Sequence, residues 1–164
     1  MKTRADTAYE QWRRERPDID PFPMRVTGRL FEAALRLERD NLNPLFARHE
    51  LRPGEFDVLA TLRRAGAPYA LTPTQLYEAL LISSGGMTNR LDRLEQAKLV
   101  ERRRNPQDRR GTLVVLTDKG FDVMEALLER HVENERQLLS SLSEEEQRLL
   151  DGLLAKLLAG LPTA

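Results

Sequence analysis

The run Ser83-Ser84-Gly85-Gly86-Met87-Thr88-Asn89-Arg90 sets hydroxyls, glycines, an amide and a guanidinium at nearly every position. In the first turn of a helix, such small and polar groups suit entry into the major groove of duplex DNA. A bulky side chain there would block approach to the base edges. The same helix end offers unpaired N–H groups and the positive end of its dipole to a phosphate. Further along stand Arg102, Arg103 and Arg104, then Arg109 and Arg110. The last two lie in Asn105-Pro106-Gln107-Asp108-Arg109-Arg110-Gly111, which is turn chemistry. An arginine at a turn tip can enter the narrow, electronegative minor groove, and Asp108 could orient one guanidinium by a charge-assisted bond. Each feature also has a plain reading: arginines solvate a hairpin, and serines followed by glycines make a flexible loop.

Two short helices and a hairpin are needed to hold these groups. Thr72-Pro73-Thr74-Gln75 is a strong helix start, because Thr72 can cap, proline fits the first turn and Gln75 can reach back to the cap backbone. That helix is expected to end near Leu80 or Leu81. Ser83 and Ser84 can cap the next, on which Met87, Leu91 and Leu94 fall at i, i+4 and i+7 as its inner face. Two short helices separated by three or four residues make a helix-turn-helix. Residues 100–104 and 112–116 then read as the strands of one hairpin. Arg102, Arg103 and Arg104 alternate along a strand, so at least one faces away from the duplex. The candidate contacts are Thr74, Gln75, Ser83, Ser84, Gly86, Thr88, Asn89, Arg90 and Arg93 from the helices, and Arg104, Asp108, Arg109 and Arg110 from the hairpin.

Helical patterns flank this unit on both sides. Residues 5–16 place Ala8 and Trp12 on one face, and Pro17 ends that stretch. A long pattern over 24–50 carries an apolar stripe through Val26, Leu30, Leu37 and Leu42, with Pro44 expected to kink or divide it. Pro53 is expected to open a helix with Phe56, Leu59 and Leu62 inward and Gly66 as its stop. Thr117 caps a long segment running to about Ser140, and Ser143 to Glu146 form a capping box for a last helix. That helix bears Leu149, Leu150, Leu153, Leu154, Leu157 and Leu158, a stripe too wide for a short tail to bury alone. A partner surface is favoured; packing against the chain's own long helices is the alternative. The division is 1–20 as a helical extension, 21–52 as a dimerisation and core helix, 53–116 as the helix-turn-helix and hairpin, and 117–164 as dimerisation helices.

The 164 residues carry 26 basic and 26 acidic side chains, and zero net charge alone argues against nucleic acid. Their distribution argues the other way. Residues 83–116 hold eight Lys/Arg against four Asp/Glu, whereas 117–164 hold five against ten. The lack of cysteine excludes disulfides, thiolate metal sites and cysteine redox sensing. His49 and His131 stand far apart with no ligand-spaced neighbour, so no metal or cofactor is expected. With no Gly-rich phosphate loop, nucleophile motif or histidine placed as a base, an enzyme is not expected. No apolar run approaches the roughly 20 residues of a membrane span. Residues 1–16 are charged throughout, unlike a signal peptide, and the expected address is the cytoplasm.

Pro53-Gly54-Glu55-Phe56-Asp57-Val58-Leu59, Leu71 to Leu76, Ser83 to Glu95, Asp108-Arg109-Arg110-Gly111 and Leu116-Thr117 together resemble the MarR family of transcription factors, in element order over 24–160. The resemblance implies a mainly α fold with a small β wing, a winged helix-turn-helix. It also implies an intertwined homodimer on pseudo-palindromic double-stranded DNA. The sequence is further similar to a branch of that family that responds to urate and related purine breakdown products and carries an extra N-terminal helix with a tryptophan. Trp12, Asp57, Arg90 and Arg102 match its four positions, which implies a small acidic effector, aromatic or purine-type. An aromatic wall and two guanidiniums suit such a ligand. Drawing Arg90 of the reader helix toward it would shift the population away from the DNA-binding form, as in a repressor relieved by ligand. Ordinary roles stand beside these: Trp12 as a hydrophobic lid, Asp57 as a surface charge or the partner of an arginine, Arg90 and Arg102 as phosphate contacts. Two rival functions also stand: a winged-helix protein-interaction module without specific DNA binding, and a regulator answering a different phenolic or aromatic acid.

Overall fold

A capping box opens the first helix: Thr3 Oγ1 accepts the Asp6 N–H and Asp6 returns a carboxylate oxygen to the Thr3 N–H. The computed structural model describes residues 2–80, 84–108 and 110–162. In chain order they form α1 (Arg4–Glu15), α2 (Phe22–Arg36), a π-helical segment (Leu37–Leu42), α3 (Asn43–Ala47), α4 (Glu55–Arg64), β1 (Ala70–Leu71), α5 (Pro73–Leu80), α6 (Ser84–Gln96), β2 (Val100–Arg104), β3 (Thr112–Leu116), α7 (Asp118–Leu138) and α8 (Glu144–Ala159).

The long pattern over 24–50 is divided, and the division begins ahead of Pro44. Proline removes an N–H donor and crowds the carbonyl four residues back. The chain answers by widening its turns, so that the Asn43 N–H donates to the Glu38 carbonyl, five residues back. The Asn41 amide closes on the Arg36 carbonyl at 2.9 Å.

Pro53 does not open α4. Gly54 intervenes in the left-handed conformation (φ 76°), and the helix starts at Glu55. No side chain caps it in the usual manner; the Glu55 carboxylate instead accepts the Arg52 N–H at 2.7 Å. The starts of α5, α7 and α8 follow the sequence reading. Thr72 and Gln75 exchange bonds of 3.2 and 2.9 Å, Thr117 Oγ1 accepts the Gly120 N–H at 3.0 Å, and Ser143 pairs reciprocally with Glu146.

β2 and β3 pair antiparallel, Val100 opposite Leu116 and Arg104 opposite Thr112, on the bounds read from the sequence. A two-residue strand not foreseen, β1, joins the far edge of β3, giving the order β1-β3-β2. Two residues are too few for any periodicity to register. Leu59, Leu62, Leu76, Leu94, Val114, Met124 and Leu127 close the core between α4, α5, α6, the sheet and α7. Met87, Leu91 and Leu94 are buried, as the i, i+4, i+7 spacing required.

By contrast, α2 and α8 bury no residue in the single chain. Phe31 is 77% exposed and Leu158 is 68% exposed. The leucines of α8 therefore do not cover themselves on the chain's own long helices. No helix among the described residues is long and apolar enough to cross a membrane.

Candidate nucleic-acid interface

α6 is held from beneath by its apolar face, which leaves Thr88 and Asn89 on the outer surface. Ser84 and Gly86 lie in its first turn. Ser83 and Arg109, both expected to touch the duplex, lie outside the described residues. Thr74 and Gln75 are exposed at the start of α5, but the Gln75 amide oxygen is already engaged by the Thr72 N–H, so only its NH2 faces outward with donors to spare.

The arginines divide into two groups. Arg102 of β2 turns back onto α6, bonding Asp92 at 2.6 Å and pairing with Glu95 as well. The hydrogen bond it donates to Asp92, with the nearby Glu95 charge, pushes its guanidinium above the ordinary arginine range despite partial burial. Arg103 pairs with Glu101 on its own strand. Among the described residues, neither Arg104 nor Arg110 commits its guanidinium to an ion pair, and both are exposed. Of the three strand arginines, Arg102 is therefore the one tied to α6, and Arg104 the one left without an ion pair among the described residues.

Asp108 acts differently from the expectation. Its Oδ1 accepts the backbone N–H of Arg110 at 2.9 Å and its carbonyl accepts the Gly111 N–H at 2.9 Å. Among the described residues it shapes the turn rather than aiming a guanidinium. Arg93, expected to contact the duplex, places Nε 2.6 Å from Glu55 Oε1, and Glu55 is 4% exposed. Sequence spacing could not reveal that pair, since 38 positions separate its members.

The four residues expected around a ligand are not gathered within one chain. Trp12 lines a cleft of about 340 Å³ between α1 and α2, with Tyr9, Arg25 and Phe31. Arg102 lines a groove of about 270 Å³ beside Thr74, Tyr77 and Thr88. Arg90 lies over the backbone of Gly54. Asp57 lines a third cavity, about 450 Å³, between α4 and α7, with Phe56, Thr61, Arg64, Met124 and His131. Two polar atoms of that cavity, Thr61 Oγ1 and His131 Nδ1, are buried with no hydrogen-bond partner among the described residues. The His131 ring packs at 4.5 Å on Phe56, and Nε2 lies 3.4 Å from a Glu135 oxygen. Neither Thr61, Arg64 nor His131 was singled out as a ligand residue by the sequence. His131 has no spaced partner, and its surroundings arise only when α7 crosses α4. Among the described residues no cluster of His, Asp or Glu could hold a metal.

Helix, helix, strand, turn and strand around one core, with the second helix exposed at its polar face, define a winged helix-turn-helix protein. The MarR family profile matches residues 49–111. The chain is 48% identical over 147 residues to the HTH-type transcriptional regulator PecS of Dickeya dadantii (strain 3937), covering 90% of this chain and 88% of that protein. Its fold superposes on a mutant MarR from E. coli complexed with operator DNA with a TM-score of 0.73 and 29% identity, over 90% of this chain and 97% of the other. A MarR family transcriptional regulator from Streptomyces coelicolor in complex with DNA gives a TM-score of 0.76 and 28% identity, over 85% and 87%. The chain belongs to the MarR family and is a DNA-binding transcriptional regulator, not an enzyme.

Proposed function

We propose that this regulator binds pseudo-palindromic duplex DNA as a homodimer and leaves it when a small acidic aromatic or purine-type ligand, such as urate, is bound. The observation that carries the DNA half is the exposed Thr88–Asn89 surface of α6 beside a hairpin whose Arg104 and Arg110 keep their guanidiniums uncommitted among the described residues. In this reading residues 53–116 form the reading lobe, 21–52 and 117–164 join two copies, and the protein works in the cytoplasm. Thr74, Gln75, Gly86 and Arg90 are further contacts in this reading, joined by Ser83, Ser84 and Arg109 on the strength of the sequence alone. Binding is expected to weaken linearly in log K against log salt, with a slope of about 0.9 per phosphate contacted. Arg110→Ala is expected to lower that slope by about 0.9 per chain and to weaken all sequences alike, with the dimer mass unchanged. Affinity indifferent to salt and sequence would instead mark a protein-interaction module.

The ligand half rests on the Asp57 cavity, whose volume is that of a small-molecule site. Phe56 and Met124 supply apolar walls for a planar ring, while Thr61 Oγ1, His131 Nδ1 and Arg64 supply polar and cationic groups for its edge. An anion there lies beside Asp57 and displaces that carboxylate, which moves α4. Trp12 and Arg102 line other cavities, so their part in binding is tested apart from that of Asp57. Urate at a hundredfold excess over its Kd is expected to stabilise the protein by about 2.7 kcal/mol in thermal denaturation. Arg64→Ala is expected to abolish that shift. If urate, xanthine and salicylate all leave the melting temperature unmoved, the ligand half fails while the DNA half stands.

A further inference from the structure

We infer that Glu55 is a positioning residue for DNA reading, a buried carboxylate that seats α6 on its lobe through Arg93, so that Arg93 serves the helix's orientation and not a phosphate. The inference rests on the reading of α6 as the helix that enters the duplex.

Glu55 is 4% exposed and both its oxygens are used. Oε1 accepts from Arg93 Nε at 2.6 Å and Oε2 from the Arg52 N–H at 2.7 Å. A carboxylate withdrawn from water needs such partners, and two short bonds from different elements leave it no freedom to turn. One helical turn earlier on the same face of α6, the Arg90 guanidinium lies flat against Gly54. A Cβ built on Gly54 would lie 2.6 Å from Arg90 Nη2 and 2.7 Å from Nε, so only glycine admits that approach. The turn at 54–55 therefore carries two successive arginines of α6, one by an ion pair and one by close contact.

The rest of the seat is apolar. Met87, Leu91 and Leu94 drive α6 onto the core, but hydrophobic contact is not directional and does not by itself fix rotation about the helix axis. A short rotation would carry Asn89 from one base edge to the next. A fully satisfied buried pair specifies one orientation among those that packing allows. The other charges on this part of α6, Asp92 and Glu95, face the wing through Arg102 and do not compete for Arg93.

The test uses the full-length protein and two probes: a 30-base-pair duplex enriched by the wild-type protein from a randomised pool, and a scrambled duplex of the same composition. Glu55→Gln keeps an oxygen for the Arg52 N–H while removing the charge that holds Arg93. Glu55→Gln, Arg93→Gln and the double variant are each expected to lose about tenfold in affinity for the enriched duplex, with scrambled binding and the salt slope unchanged. The double variant is expected to be no weaker than either single one. A salt slope reduced by about 0.9 per chain in Arg93→Gln, with Glu55→Gln binding normally, would overturn the inference by making Arg93 a phosphate contact. Losses that multiply in the double variant would overturn it equally. If Glu55→Gln fails to fold, the slope and the enriched-to-scrambled ratio of Arg93→Gln decide alone. A wild-type protein that enriches no duplex overturns the DNA reading itself and this inference with it.

Discussion

Aspartate at both Leu153 and Leu157 is expected to convert the protein to a monomer in sedimentation equilibrium while leaving the helical content of the lobe intact. In the single chain Leu153 is 56% exposed and Leu157 is 45% exposed, and no residue of α8 is buried. A helix with six leucines in ten positions holds that much apolar surface only where another surface covers it. Two leucines returned to water cost roughly 3–6 kcal/mol per chain at 1.5–3 kcal/mol each, before the added charges are counted. A symmetric interface loses that amount twice. α2 presents a complementary apolar face through Met24, Phe31 and Leu35, so the loss is expected whether α8 meets α8 or α2 of its partner. Half-site binding alone then remains, and affinity for a two-half-site duplex falls by orders of magnitude. A double variant that sediments with twice the chain mass would remove α8 from the interface.

The second large effect is expected from the smallest substitution. Gly120 lies in the first turn of α7, buried against the backbone that leads into β2. A Cβ there would overlap the Leu99 carbonyl oxygen and come within 2.9 Å of its carbon and of Leu116 Cδ1. That carbonyl cannot withdraw, because it accepts the Thr117 N–H at 3.1 Å and the next residue, Val100, is paired to Leu116 in the sheet. Backbone meeting backbone leaves no flexible side chain to absorb the contact. Gly120→Ala is expected to destabilise by about 3 kcal/mol. For a chain of this size that lowers the melting temperature by roughly 6–12 °C. A melting temperature within a degree of wild type would show that α7 does not dock on the Leu99 turn as described.

What could be read from residues alone was what local chemistry controls. The hairpin strands were bounded correctly because two extended runs, a proline turn and a charged tip all fall within seventeen residues. The starts of α5, α7 and α8 were legible for the same reason, each being a side chain closing on a backbone N–H three residues on. α4 was misread at its start because Pro53 suits a first turn equally well, and the left-handed conformation of the Gly54 that follows leaves no mark in the residue pattern. The pairing of Arg93 with Glu55 escaped the sequence because the two lie in different elements. Asp57 and Trp12 were named by resemblance, which transfers residue identities but no distances. That Trp12 faces the α1–α2 cleft and Asp57 the α4–α7 cavity is a matter of tertiary packing.

Arg102 links the wing to α6 through two acids one turn apart, so a shift of either element is felt by the other. In the proposed reading, the span between the groove read by α6 and the groove met by the wing follows from that link. Sequence variants that stretch or compress a half-site should be rejected outright. In the proposed dimer the distance between the two half-sites is expected to be held as well, near one helical turn, and a library of operators varied in spacer length would measure how firmly α2 and α8 hold the two lobes apart.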